Sequence, residues 1–194
     1  MKGSSRRLVL SLAAGGIAAT ASTSLATAAS AQPIRESEVF EETQEFEDFC
    51  DASGLTVQVN STTESRFMLI PHGPDGLGYG LEHLRITNVY ANAANGIAVT
   101  EQVTTVFKDL RVTDNGDGTV TILVLATGNA VVRGPDGKAI ARNPGQIRFE
   151  ALVDNGGTPT DPSDDEFLDV LRDVKGSTGR TDDFCEAVVP VLSG

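Results

Sequence analysis

Five carboxylates fall within DNGGTPTDPSDDEF, Asp154 to Phe167, and no Lys or Arg lies among them. Calcium takes roughly six to eight oxygens, several of them carboxylate. Asp161, Asp164, Asp165 and Glu166 could supply part of such a shell within one turn. The EF-hand spacing is absent, however, and Pro159 and Pro162 stiffen the loop without defining a cage. The stretch therefore reads first as a solvated connector between strands, and calcium is the one cofactor it would take. A catalytic carboxyl pair would need one acid pushed into an apolar pocket, and nothing in this stretch implies burial.

A second chemical stretch is PHGPDGLGYGLEH, residues 71–83, which holds both histidines and Gly76, Gly78 and Gly80 at alternate positions. A phosphate loop would continue into Lys-Ser or Lys-Thr and open a helix; this segment does neither. A zinc site built on His72 and His83 lacks a third ligand in sequence. The segment reads as a loop between strands, and over the mouth of a barrel it would act as a lid. No G-x-S-x-G nucleophile elbow occurs. With no Trp and only Tyr79 and Tyr90, the flat aromatic platform of a sugar-binding module is missing.

The remaining reactive residues are Cys50 and Cys185, set in EDFC and DDFC. Their redox setting follows from the N-terminus. Lys2, Arg6 and Arg7 precede an uncharged run of Leu, Val, Ala, Gly, Ser and Thr that closes on Ala29-Ser30-Ala31. Residues 1–31 thus read as a bacterial signal peptide cleaved after Ala31, by the general secretory or the twin-arginine route, and not as a membrane anchor. In an exported chain the two cysteines read as one disulfide. The leader takes three of the 15 basic residues and none of the 27 acidic ones, leaving 12 against 27 and a mature charge of −15. Such a surface repels phosphate backbones and anionic lipid, which argues against nucleic acid and against membrane insertion after the leader is removed.

What must position these residues is a β framework. Residues 32–49 carry seven acids against Arg35 and read as a loosely held acidic arm. Residues 50–194 read as a single β domain. Its candidate strands are 55–60, 66–71, 81–91, 97–113, 119–127, 130–134, 138–142, 146–154 and 166–174, with tight turns at DNGDG (114–118) and GPDG (134–137). In QIRFEALVD the apolar Ile147, Phe149, Ala151 and Val153 share one face and Arg148, Glu150 and Asp154 the other. A phase change along 97–113 predicts a β-bulge near Thr104–Val106. TDDFCEAVVPVL (181–192) predicts one short terminal helical turn capped by Thr181 or Asp182. The fold class is all-β: an antiparallel meander of about eight strands, closed into a small barrel or curled sandwich and stapled by one disulfide.

The block VVRGPDGKAIARNPGQIRFEALVDNGG, the acidic loop after it, and GSTGRTDDFCEAV resemble a type of secreted actinobacterial protein. Its members carry a signal peptide, an early FC, a β-rich middle and a late DDFC. The resemblance spans about the last hundred residues plus Cys50, and its motifs are structural. It implies a secreted all-β domain with one disulfide and hands over no active site. Three readings of function follow: a binding barrel for an apolar small molecule or a protein partner, a structural or surface-interaction protein that docks through its acidic arm, and a cyclase or isomerase. The last would resemble allene-oxide-cyclase-like barrels, with Glu82, His83 or Arg85 meeting the substrate and at least two ionisable groups pointing inward.

Overall fold

The computed structural model describes residues 33–72, 76–158 and 164–194; the leader reading and Asp161 lie outside them. Seven strands form one antiparallel sheet in chain order: β1 (Ile34–Phe46), β2 (Val57–His72), β3 (Leu77–Asn92), β4 (Ala98–Asp114), β5 (Thr119–Arg133), β6 (Ala139–Asp154) and β7 (Glu166–Thr178). One helix, α1 (Phe184–Ser193), follows. The all-β meander is thus as expected, with seven strands instead of about eight. Three pairs of predicted runs are single strands, because the ladders continue through polar and Gly-containing segments such as Thr127–Asn129 and Asn143–Gly145. Pro144 stands opposite Asn129 inside that ladder.

The seventh strand comes from the segment read as a loose arm. Ile34–Phe46 pairs residue for residue with Leu69–Val57, so the acidic stretch is an edge strand. The sheet is not closed: β1 and β7 are its two edges. Five Glu on β1 and register shifts at four places along β7 oppose edge-to-edge pairing, which accounts for the open end where a barrel was expected. The bulge of β4 also sits further along than predicted. The ladder is regular through Thr104–Val106 and shifts between Asp109 and Arg111, leaving Leu110 as the extra residue.

Register assigns the two faces. Val57 and Val59 of β2, Val99 of β4, Val132 of β5 and Ala141 of β6 share one face, and all belong to the main core with Val188 and Leu192 of α1. The pattern read for QIRFEALVD holds, since Ile147, Phe149, Ala151 and Val153 align with Ala126, Val124, Ile122 and Val120 on this same core face. Close coiling shows at Gly128 and Gly145, paired across β5 and β6. A Cβ on Gly128 would stand 2.7 Å from the Thr104 carbonyl oxygen, and one on Gly145 2.8 Å from that of Thr178. Only glycine fits where strands approach this closely.

The helix is longer than the single turn expected, and its N-cap is Asp183, whose carboxylate accepts from Glu186 N at 2.9 Å. Asp182 is engaged instead with Arg180 and with Arg142 N. Phe184, Ala187, Val188, Val191 and Leu192 repeat at the spacing of one helical face and pack on the end of the sheet. Fully buried Val188 and Leu192 each stabilise the fold by about 1.5–3 kcal/mol. Asn92 and Asn95, at the β3–β4 turn, donate their amides to the Leu192 carbonyl at 2.9 and 3.0 Å and satisfy the helix C-terminus. Cys50 and Cys185 are bonded with Cα atoms 5.5 Å apart, tying the turn after β1 to α1 across 135 residues.

Replacing both cysteines by Ser should lower unfolding stability by about 3–5 kcal/mol, because a loop this long is freed in the unfolded chain. Urea melts of wild type with reductant should match the double variant, which should itself ignore reductant. Asn92→Asp should cost about 2–3 kcal/mol in the same assay, since it faces an acceptor with an acceptor at the negative end of α1.

Candidate functional site

The helix covers only one end of the core face. Beyond it, on the same face, Phe67 (β2), Leu84 and Ile86 (β3), and Val103 and Phe107 (β4) are half-buried. Three carboxyls stand among them: Glu82 of β3 and Glu101 and Asp109 of β4. Each is placed there by strand alternation, since Glu82 lies opposite Phe107 and Glu101 opposite Asn88.

Nearest the helix is a polar row. Ser61 donates to Asn88 Oδ1 at 2.7 Å; Asn88 Nδ2 donates to Glu101 Oε2 at 2.9 Å and to the Tyr90 hydroxyl at 3.3 Å. Tyr90 donates its phenol to Glu101 Oε2 at 2.8 Å. Burial first, and then the Glu101 charge, push the Tyr90 phenol far above its ordinary value, so it stays a donor. The Tyr90 ring packs on Phe49 and Phe184, with centroids 5.7 and 5.1 Å away, which joins this row to the helix.

Further out, Phe67, Glu82 and Phe107 form a continuous cross-strand row, with Ser65 donating to Glu82 Oε1 at 2.7 Å. The Gly-rich stretch finds its role beside them. Gly80 N donates to Asp109 Oδ2 at 2.6 Å, and a Cβ on Gly80 would meet that oxygen at 3.0 Å and the Phe67 ring at 3.2 Å. A Cβ on Gly78 would meet Leu69 at 2.7 Å. These glycines let side chains of neighbouring strands fold across β3. Residues 77–80 are strand, so this part of the predicted lid belongs to β3, and residues 73–75 lie outside the described residues.

Burial raises the Asp109 carboxyl to about 6, and the Gly80 N–H only partly opposes that shift. Among the described residues no salt bridge reaches Glu82, Glu101 or Asp109. The cations are on the other side: by register, every Lys, Arg and His of β1–β6 falls on the face away from the core. Of the three residues proposed to meet a substrate, Glu82 is therefore on the core face, while His83 and Arg85 are exposed on the opposite one. Arg85 there lines a shallow depression of about 290 Å³ with Thr87, Gln102 and Thr104. His72 lies against Tyr79, at 5.4 Å between centroids, and His83 stands opposite Arg66.

The described carboxyls of the acidic stretch do not gather into one ligand set. Asp164 accepts from the Thr158 hydroxyl at 2.5 Å, and Glu166 enters β7 opposite Asp154. Asp165 belongs to the turn before β7, and no three His, Cys, Asp or Glu gather as metal ligands among the described residues. Glu150, which sequence placed on a wet face, is instead a buried cross-sheet anchor. Arg172 of β7 donates to both its oxygens, at 2.7 and 3.1 Å, and Arg111 of β4 donates to one at 3.1 Å. The Arg172 hydrogen bonds hold its carboxyl below the usual range and fix β7 to the sheet.

Comparison of the chain with protein-family models, with curated proteins and with solved structures finds no match. What defines the molecule is an open, seven-stranded antiparallel sheet with a half-covered apolar face whose carboxyls, though hydrogen-bonded, meet no cation among the described residues. Sequence reading missed Glu101 and Asp109. The available signal was their in-phase position with Val103 and Phe107 in EQVTTVFKD, where polar residues occupy an otherwise apolar face.

Because the folded-state value of Asp109 lies above its unfolded one, the folded chain binds the extra proton, and stability falls as pH rises from about 4 to about 6. Asp109→Asn keeps an acceptor for Gly80 N and removes the charge. It should be more stable than wild type at pH 7.5 by on the order of 2 kcal/mol and equal to it near pH 3.5. Thermal melts across that range, with no narrowing of the gap toward acid, would refute the assignment.

Proposed function

We propose that this is an exported, non-enzymatic binding protein of the secreted actinobacterial type that its FC and DDFC blocks resemble. Its binding surface is the part of the core face that α1 leaves uncovered. The observation that carries the reading is the row of Phe67, Leu84, Ile86, Val103 and Phe107, half-buried on the core side with no element of the described fold packed to bury them fully. Large apolar side chains gathered on one face and left only half-buried mark a ligand surface. The Cys50–Cys185 bond is consistent with an oxidising compartment, and no helix among the described residues is long and apolar enough to cross a membrane. An apolar small molecule fits better than a protein strand added at an edge, because β1 is lined with Glu and β7 is irregular.

A second reading is supported by Asp109. A carboxyl that is half-protonated near pH 6 beside an apolar surface can give or take a proton, as a cyclase or isomerase requires. In that case Asp109 and Glu82 are the reacting pair, in place of His83 and Arg85.

Titration with the neutral apolar fluorophore N-phenyl-1-naphthylamine should give saturable binding near one probe per chain. Ile86→Lys, which places a charge at the centre of the surface, should weaken it about tenfold or more. Absence of saturable binding, or binding unaffected by Ile86→Lys, would rule out this face as the ligand surface.

A further inference from the structure

Resting on the reading of this face as a binding surface, the charge distribution specifies what kind of ligand it takes. In β1–β6 the basic residues all lie on one face, whereas acids lie on both, Glu64 and Glu150 among those away from the core. Arg66, Arg85, Lys108 and the other basic residues point away from the core, and Glu82, Glu101 and Asp109 point to the core side. A fold that needed only a stable core would leave these positions apolar or pair them, because a desolvated carboxylate without a counter-charge is costly. Ring faces and carboxyls are interleaved here. Glu82 stands directly between Phe67 and Phe107 along one cross-strand row, and Phe67 and Asp109 both lie over the notch that the missing Gly80 side chain leaves open. An aromatic face attracts a cation through its quadrupole, and a carboxylate beside it adds direct charge attraction. An anionic or merely neutral ligand would forfeit both.

We infer that the uncovered core face binds an apolar organic cation, with the Phe67–Glu82–Phe107 row and Asp109 receiving an ammonium group and Leu84, Ile86 and Val103 taking its hydrocarbon part. The ammonium supplies the counter-charge that the fold itself withholds from this face. It also explains why aromatic and acidic side chains alternate along this row.

Calorimetric titration of the purified protein with octyltrimethylammonium, 1-octanol and octanoate separates the possibilities, since the three share one alkyl chain and differ in head-group charge. The ammonium should bind about tenfold tighter than the alcohol, and octanoate no tighter than the alcohol. Glu82→Gln and Asp109→Asn, both near-isosteric, should each remove most of that preference, bringing the ammonium close to 1-octanol in affinity. Glu64→Gln, on the opposite face, should change neither. The last variant matters because the whole chain is acidic: a drop equal to that of Glu82→Gln would mean diffuse attraction and would overturn the site. Equal affinity of wild type for ammonium and alcohol would overturn the inference while leaving apolar binding intact. No binding of any of the three would overturn both.

Discussion

A single antiparallel sheet has two faces, and among the described residues one ten-residue α-helix is there to cover them. That shortage governs the rest of the structure. The strands run 13–17 residues, about 45–55 Å when extended, whereas a ten-residue helix is about 15 Å long. The helix can therefore seal only one end of one face. The disulfide, the Asn92 and Asn95 amides on the Leu192 carbonyl, and the Phe49–Tyr90–Phe184 ring contacts all concentrate at that end. They hold α1 against Val57, Val59, Val99, Val132 and Ala141 and join the turn after β1 to the C-terminus.

Away from the helix the sheet is held together differently. The row at Gly128 and Gly145 lets the strands approach closely enough to coil, and the smaller cluster of Val112, Val120 and Val153 closes the far end with Tyr79 and Ile122. Glu150 reaches across β5 to Arg111 and sideways to Arg172, binding an edge strand whose ladder is repeatedly interrupted. Between these two ends the core face is neither filled nor fully wet. A partly desolvated zone of this kind raises the Asp109 carboxyl and keeps the Tyr90 phenol protonated, so fold and electrostatics have the same origin.

This arrangement also recasts the motifs that look chemical in sequence. The acidic loop and the Gly-rich hairpin draw notice because acids and glycines are crowded there. Crowding in sequence is not convergence in space: Asp164 turns to Thr158, Glu166 enters a ladder, and Gly78 and Gly80 make room for Leu69, Phe67 and Asp109. The acids that share a surface come instead from Glu82, Glu101 and Asp109, scattered singly over two strands.

Sequence by itself determined the β class, its antiparallel meander character, the alternation of QIRFEALVD and the pairing of two cysteines, because each depends on local spacing or on there being only two candidates, while the strand order came from the structure. Only the tertiary structure decided the rest. Whether Ile34–Phe46 was an arm or a strand turned on a partner, β2, that its own composition does not reveal. Whether the sheet closed turned on two edges more than a hundred residues apart. Whether Glu82 or His83 faced the core was a matter of register, where a shift of one residue exchanges the faces, and register is set by neighbouring strands. The position of the bulge at Leu110 settled the same question for Arg111.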